Sequence, residues 1–135
     1  MPFEIVRSDI TNMRVDAIVN TANPRPVIGR GVDSAIHDKA GTELLKARQC
    51  IGHIDVGHAA ITPAYGLDAK FVIHTVGPVW MGGDHDEEML LRSCYENSLR
   101  LAADWGCQSI AFPLISSGTY GYPKDQVLRH AAQAI

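Results

Sequence analysis

The sequence predicts a single α/β domain with a largely parallel sheet, and three observations carry that prediction. Short β-branched, apolar runs alternate with longer runs whose apolar residues recur at helical spacing. One short run, Ala17-Ile18-Val19, is apolar on both faces, as in a strand covered by helices on each side. The chain has 135 residues, 46% hydrophobic and 20% charged, which suits one domain with a substantial core and excludes disordered, collagenous and disulfide-stapled classes.

Taken in order, the first expected strand is Phe3 to Arg7 and the second Asp16 to Asn20. The second runs into Asn20-Thr21-Ala22-Asn23-Pro24, where Pro24 and Pro26 break the backbone and Gly29 and Gly31 loosen it. A helix is expected to begin at Asp33, a residue type suited to capping, with Ala35, Ile36, Ala40, Leu44 and Leu45 on its buried face. Gly57 to Thr62 and Phe71 to Val76 read as strands joined by a short loop, the latter stopped by Gly77-Pro78. Leu90, Leu91, Cys94, Leu99, Leu101 and Ala102 fall at helical spacing and predict a helix from Glu87 to Asp104, closed by Gly106. Ser109 to Ile115 reads as a buried strand, and after Ser116-Ser117-Gly118-Thr119-Tyr120-Gly121-Tyr122-Pro123 a last helix runs to Ile135.

Charge narrows the function classes. Twelve Lys and Arg against fifteen Asp and Glu leave a net charge of -3, with no polybasic field to attract nucleic acid or an anionic membrane. Cys50, Cys94 and Cys107 are an odd count without Cys-x-x-Cys spacing, so the expectation is reduced thiols, with neither a disulfide framework nor a thiolate metal site. The first ten residues include Glu4, Arg7 and Asp9 and lack a signal peptide's apolar core, so a cytoplasmic protein is expected. His53 and His58 flank Asp55 at a spacing that does not make a convincing metal site, and His37 and His74 read as core or solvated histidines. No metal or other cofactor is expected.

Two strand-to-helix loops have unusual compositions, and in α/β folds such loops gather where ligands bind. Asn20 through Asp33 leads a buried strand to a helix N-terminus through Gly29 and Gly31, a setting whose free N–H groups suit a phosphate. Ser34 stands where a dinucleotide fingerprint would need its third glycine, so that pattern is broken. Ser116 through Pro123 repeats the device with hydroxyls, a central glycine and two tyrosines, each of which could face a sugar or plug the core.

These loops sit within longer strings: Asp9-Ile10; Val15-Asp16-Ala17-Ile18-Val19-Asn20-Thr21-Ala22-Asn23; Gly31-Val32-Asp33 followed by Ala35-Ile36-His37; Ile73-His74-Thr75-Val76-Gly77-Pro78; and Phe112-Pro113 through Pro123. In order and spacing they resemble the macrodomain family from about residue 3 onward, and most resemble its hydrolytic branch, which removes ADP-ribose from acidic side chains and deacetylates O-acetyl-ADP-ribose. The resemblance implies a three-layer α/β/α fold with a mixed, largely parallel sheet. It also implies a family segment after residue 135, a strand inside the sheet and a covering helix, whose absence here would leave an exposed sheet edge open to self-association.

The resemblance further implies roles. Asp9 would accept from the adenine amine, with the backbone N–H of Ile10 on the ring. Asn23 would reach the distal ribose, while Asn20 shapes the loop. Asp33 would orient or deprotonate the attacking water. Gly29, Gly31 and Val32 would present backbone to the phosphate nearer that ribose, and Ser116, Ser117, Gly118, Thr119 and Tyr120 would wrap the diphosphate from the other side. Where the hydrolytic branch often carries a run of glycines, this chain has Ile28-Gly29-Arg30-Gly31. The leading expectation is therefore an ADP-ribosyl hydrolase acting on ADP-ribose esters of proteins or acetate. A non-catalytic ADP-ribose reader is the alternative, and an RNA or nucleotide binder a third that the acidic balance disfavours.

Overall fold

The computed structural model describes residues 3–135. Four strands form one sheet: β1 (Ala17–Thr21), β2 (Ala59–Pro63), β3 (Phe71–Thr75) and β4 (Ile110–Ala111). Their order is β2-β3-β1-β4, with β1 parallel to both neighbours and β2 antiparallel to β3. The α-helices are α1 (Val32–Ala40), α2 (Thr42–Ile51), α3 (Glu87–Asp104) and α4 (Lys124–Ala134).

Alternation along β1 assigns the layers. Ala17 and Val19 pack with Ile73 against Leu91, Cys94 and Tyr95 of α3 and Val127 and Ala131 of α4. Ile18 points the other way and packs with Val72 against Ile36 and Ala40 of α1 and Leu44 of α2. The sheet is thus buried on both faces, as the doubly apolar run requires, and the domain has three layers.

Several expected elements differ. Phe3 to Arg7 forms no strand; Phe3, Ile5 and Val6 are 49%, 66% and 54% exposed, because local propensity makes no strand without a partner edge to pair with. The helix expected from Asp33 through Leu45 is two helices. Gly41 takes φ +94° between them, a conformation that stops one helix and turns the chain into the next. Ala35 faces outward, because α1 buries Asp33, Ile36, His37 and Ala40 instead. Asp33 does not cap α1; Gly31 does, and Asp33 lies buried in the first turn. The strand expected over Ser109–Ile115 pairs only at Ile110–Ala111, since Pro113 has no N–H to continue a ladder. By contrast, α3 has the expected limits, with Gly106 at φ +74° just beyond its end.

Glu87 begins α3 almost wholly buried. Its carboxylate accepts from the backbone N–H groups of Met81 at 2.9 Å, Gly83 at 2.8 Å and His85, tying the preceding loop to the helix. Burial pushes this acid up, but those N–H donors outweigh it and hold it down at about 2. A carboxyl lowered on folding stabilises above its unfolded value of 4.5 and loses that contribution as pH falls toward 2. Thermal melts should therefore show Glu87→Gln losing stability at neutral pH and converging on the unsubstituted protein near pH 2. Parallel acid limbs would show that the loop is held without this charge.

Candidate functional site

The loops after β1 and β4 leave the same end of the sheet, because these strands are adjacent and parallel. They then diverge, the first to α1 on one face and the second toward α4 on the other. Such a divergence opens a crevice at the carboxyl ends of the strands.

The first loop is fixed from beneath. Ala22 N–H donates to Thr75 at 2.9 Å and Ile54 N–H to Pro24 at 2.9 Å, both backbone carbonyls. Arg48 of α2, 3% exposed, donates to the carbonyls of Gly52 at 2.9 Å, Asn23 at 2.8 Å and Arg25 at 3.5 Å. Sequence reasoning missed Arg48; its place on a helix that otherwise shows ordinary charge spacing gave no signal.

Asp33 is the centre of a buried polar group. One carboxylate oxygen, Oδ1, accepts from Asn20 Nδ2 at 2.7 Å, and Oδ2 accepts from the Gly29 N–H at 2.7 Å. His37, one turn along α1, places Nε2 3.4 Å from Oδ1. Burial, helped by Arg48 and opposed by Asp33 and Asp38, lowers the His37 pKa, so near neutral pH this is a dipolar contact with a neutral imidazole. Asn20, expected among the ligand-binding residues as a shaper of the loop, is fully buried, and its amide donates to Asp33 at 2.7 Å, a supporting contact.

Gly29 is a glycine for a spatial reason. A Cβ there would sit 2.8 Å from Asn23 Nδ2 and 3.4 Å from Asp33 Oδ2. Asn23, half-buried, donates to the Val27 carbonyl at 3.3 Å and accepts from the Tyr120 hydroxyl at 3.4 Å. Asn23 and Tyr120 therefore join the two loops across the crevice. Gly31 adopts φ +68° with open space around it, and Val32 begins the helix whose N-terminus faces the loop.

The second loop is built from turns. Ser117 donates from its N–H and its hydroxyl to the Leu114 carbonyl, Gly121 N–H donates to Gly118, and Tyr122 N–H to Ser116. Ser116 takes φ +66°, and Gly77 lies beneath it where any Cβ would overlap Ser116 Oγ, which accounts for the glycine before Pro78. Gly118 and Thr119 are exposed. The two tyrosines divide the alternatives: Tyr122 is 2% exposed and packs on Trp80 at 4.7 Å, whereas Tyr120 stays at the rim. Asp9 is exposed and caps the short 3₁₀ turn Ile10–Asn12, accepting from the Thr11 N–H at 3.0 Å and hydroxyl at 2.8 Å through Oδ1 alone.

A family model for the macro domain matches residues 19–131. The chain belongs to the macro domain family. This macrodomain is 53% identical to the O-acetyl-ADP-ribose deacetylase of Citrobacter rodentium, over 97% of this chain and 76% of that protein. It is 50% identical to the O-acetyl-ADP-ribose deacetylase of Escherichia coli K12 over the same shares of the two chains. Among solved structures, the Oceanobacillus iheyensis macrodomain with ADP superposes with a TM-score of 0.90 at 42% identity, covering 94% of this chain and 70% of that one. The Trypanosoma brucei macrodomain in complex with ADP-ribose gives a TM-score of 0.89 at 41% identity, covering 95% of this chain and 53% of that one.

Proposed function

We propose that this macrodomain binds ADP-ribose between its two loops and hydrolyses ADP-ribose esters, O-acetyl-ADP-ribose among them. The observation that carries the proposal is the meeting of Asn23 and Tyr120 across the crevice, with Gly29 packed closely against both Asn23 and Asp33 and its N–H donated to Asp33. The names of the Citrobacter and Escherichia relatives support the reaction, and the ADP and ADP-ribose complexes support the ligand.

In the proposed step Asn23 orients the distal ribose and Asp33 orients or deprotonates a water. The water oxygen adds to the ester carbonyl, the carbonyl–ribose oxygen bond breaks, and the ribose oxygen takes up a proton. Acetate, or a protein carboxylate, and ADP-ribose are the products. Gly31 and Val32 would present backbone N–H groups to one phosphate, with Gly29, whose own N–H is held by Asp33, leaving room for its approach. Ser116 to Tyr120 would surround the other phosphate, while the unshared oxygen of Asp9 and the Ile10 N–H take the adenine. Action on ADP-ribosylated proteins and self-association along the outer edge of β4 belong to the same proposal.

Two measurements test it: calorimetric titration with ADP-ribose against GDP-ribose, and acetate release from O-acetyl-ADP-ribose. Adenine-selective binding with release is expected. Binding without release would replace the hydrolase with a reader, and absence of both from a folded sample would end the proposal.

A further inference from the structure

A chain of polar side chains crosses the sheet behind Asp33. Thr62 of β2, His74 of β3 and Asn20 of β1 all lie on the face covered by α1, with Asn20 and His74 in register across adjacent strands. His74 Nε2 is 3.0 Å from Thr62 Oγ1, and Nδ1 is 3.1 Å from Asn20 Nδ2. All three residues are buried, His74 and Asn20 completely.

Both ends of the chain fix the same proton arrangement. At one end, the Asp33 carboxylate can only accept, so it must face the Asn20 amide nitrogen, whose second N–H then points at His74 Nδ1 and requires a lone pair there. At the other, the Thr62 hydroxyl donates to the Pro63 carbonyl at 3.0 Å and so accepts from His74 Nε2–H. One neutral tautomer satisfies both. Burial, with Arg48 and His37 adding to it, pushes His74 down to about 3, so that tautomer persists across the working pH range.

The arrangement leaves the Asn20 carbonyl oxygen buried and without a partner among the described residues. Such orphans are uncommon and costly, so the amide is held by what its nitrogen does.

We propose that His74 is a positioning residue for hydrolysis, which acts through Asn20 to hold the Asp33 carboxylate in its working orientation. The proposal rests on Asp33 acting on the water, as proposed above. A merely structural histidine would only fill the core, and replacements of different geometry separate the two roles. Asparagine can place a carbonyl oxygen where Nδ1 stands, whereas glutamine reaches toward Thr62 and leaves Asn20 without its acceptor.

The experiment measures kcat and KM for O-acetyl-ADP-ribose, and ADP-ribose affinity, for His74→Gln, His74→Asn and Thr62→Val, with Asp33→Asn as control. Expected for His74→Gln is a kcat about 10- to 100-fold lower with ADP-ribose affinity nearly unchanged, since misplacement of a reacting group by about 1 Å costs up to about 100-fold. His74→Asn should recover most of the loss. Imidazole ¹⁵N shifts of the unsubstituted protein should report the Nε2–H tautomer.

An unchanged kcat in His74→Gln, equal losses in the glutamine and asparagine variants, or the Nδ1–H tautomer would each overturn the proposal. If His74→Gln does not fold, Thr62→Val decides: a lower kcat at constant KM supports the relay and an unchanged kcat refutes it. Full turnover by Asp33→Asn would instead show that the underlying reading of Asp33 had failed. Loss in Asp33→Asn without loss in His74→Gln confines the failure to His74.

Discussion

Asp33→Asn is expected to lower acetate release from O-acetyl-ADP-ribose by about 10²- to 10⁴-fold, the range a positioned acid–base group contributes, while ADP-ribose still binds. The selectivity follows from geometry. Both oxygens of Asp33 already accept a hydrogen bond at 2.7 Å, from Asn20 and from the Gly29 N–H; His37 Nε2 also faces Oδ1 at 3.4 Å, so Oδ2 is the oxygen that retains a second lone-pair direction for a water. An asparagine keeps the volume and one oxygen but must aim N–H groups at one of those donors and carries no charge with which to activate water. Asp33→Ala is the harsher variant. It leaves the Gly29 N–H and the Asn20 amide short of an acceptor, which costs about 1–3 kcal/mol for each group left unsatisfied, so its lost turnover must be read beside a urea melt. Turnover of Asp33→Asn within about threefold of the unsubstituted protein, well below the contribution of a general base, would reduce Asp33 to a loop anchor. Loss of binding along with turnover would assign it to the cradle.

The two loops were legible in the sequence because their signals are local. Proline, glycine and hydroxyl residues punctuate 20–33 and 116–123, and α3 kept its expected ends because its apolar spacing and Gly106 are contained within it. What failed was pairing. Nothing in Phe3 to Arg7 says that no edge awaits it, and nothing within Ala59–Pro63 says that it pairs antiparallel to β3. Asp33 was read as a cap because Asp before an apolar periodic run is a capping signal. Its true partners depend on where Asn20 stands once β1 is seated. His74 and Thr62 carry the same lesson more strongly: as single letters in strands they are core residues, and only the register of three strands aligns them with Asp33.

Arg48 extends that lesson to stability, and Arg48→Met should be among the most destabilising single changes in the domain. Methionine keeps much of the apolar stem, so the loss isolates the guanidinium. Replacing a buried ion pair by apolar residues is often harmless because both charges leave together. Here the partners are the backbone carbonyls of Asn23, Arg25 and Gly52, which remain after the substitution. Stranding them should cost about 2–4 kcal/mol, given about 1.5–3 kcal/mol for a hydrogen bond to a charged group and more than one bond lost. For a domain of this size that lowers Tm by on the order of 10 °C. The same carbonyls hold the backbone at Asn23, so ADP-ribose affinity should fall as well, with KM rising more than kcat drops. Arg48→Lys should recover only part of either effect, because one ammonium cannot span Gly52 and Asn23 as the planar fork does. A near-normal melt with weakened binding would mean that Arg48 tunes the loop without supporting the fold. Normal melting and normal affinity together would leave the loop's support to the Ala22 and Ile54 backbone bonds alone.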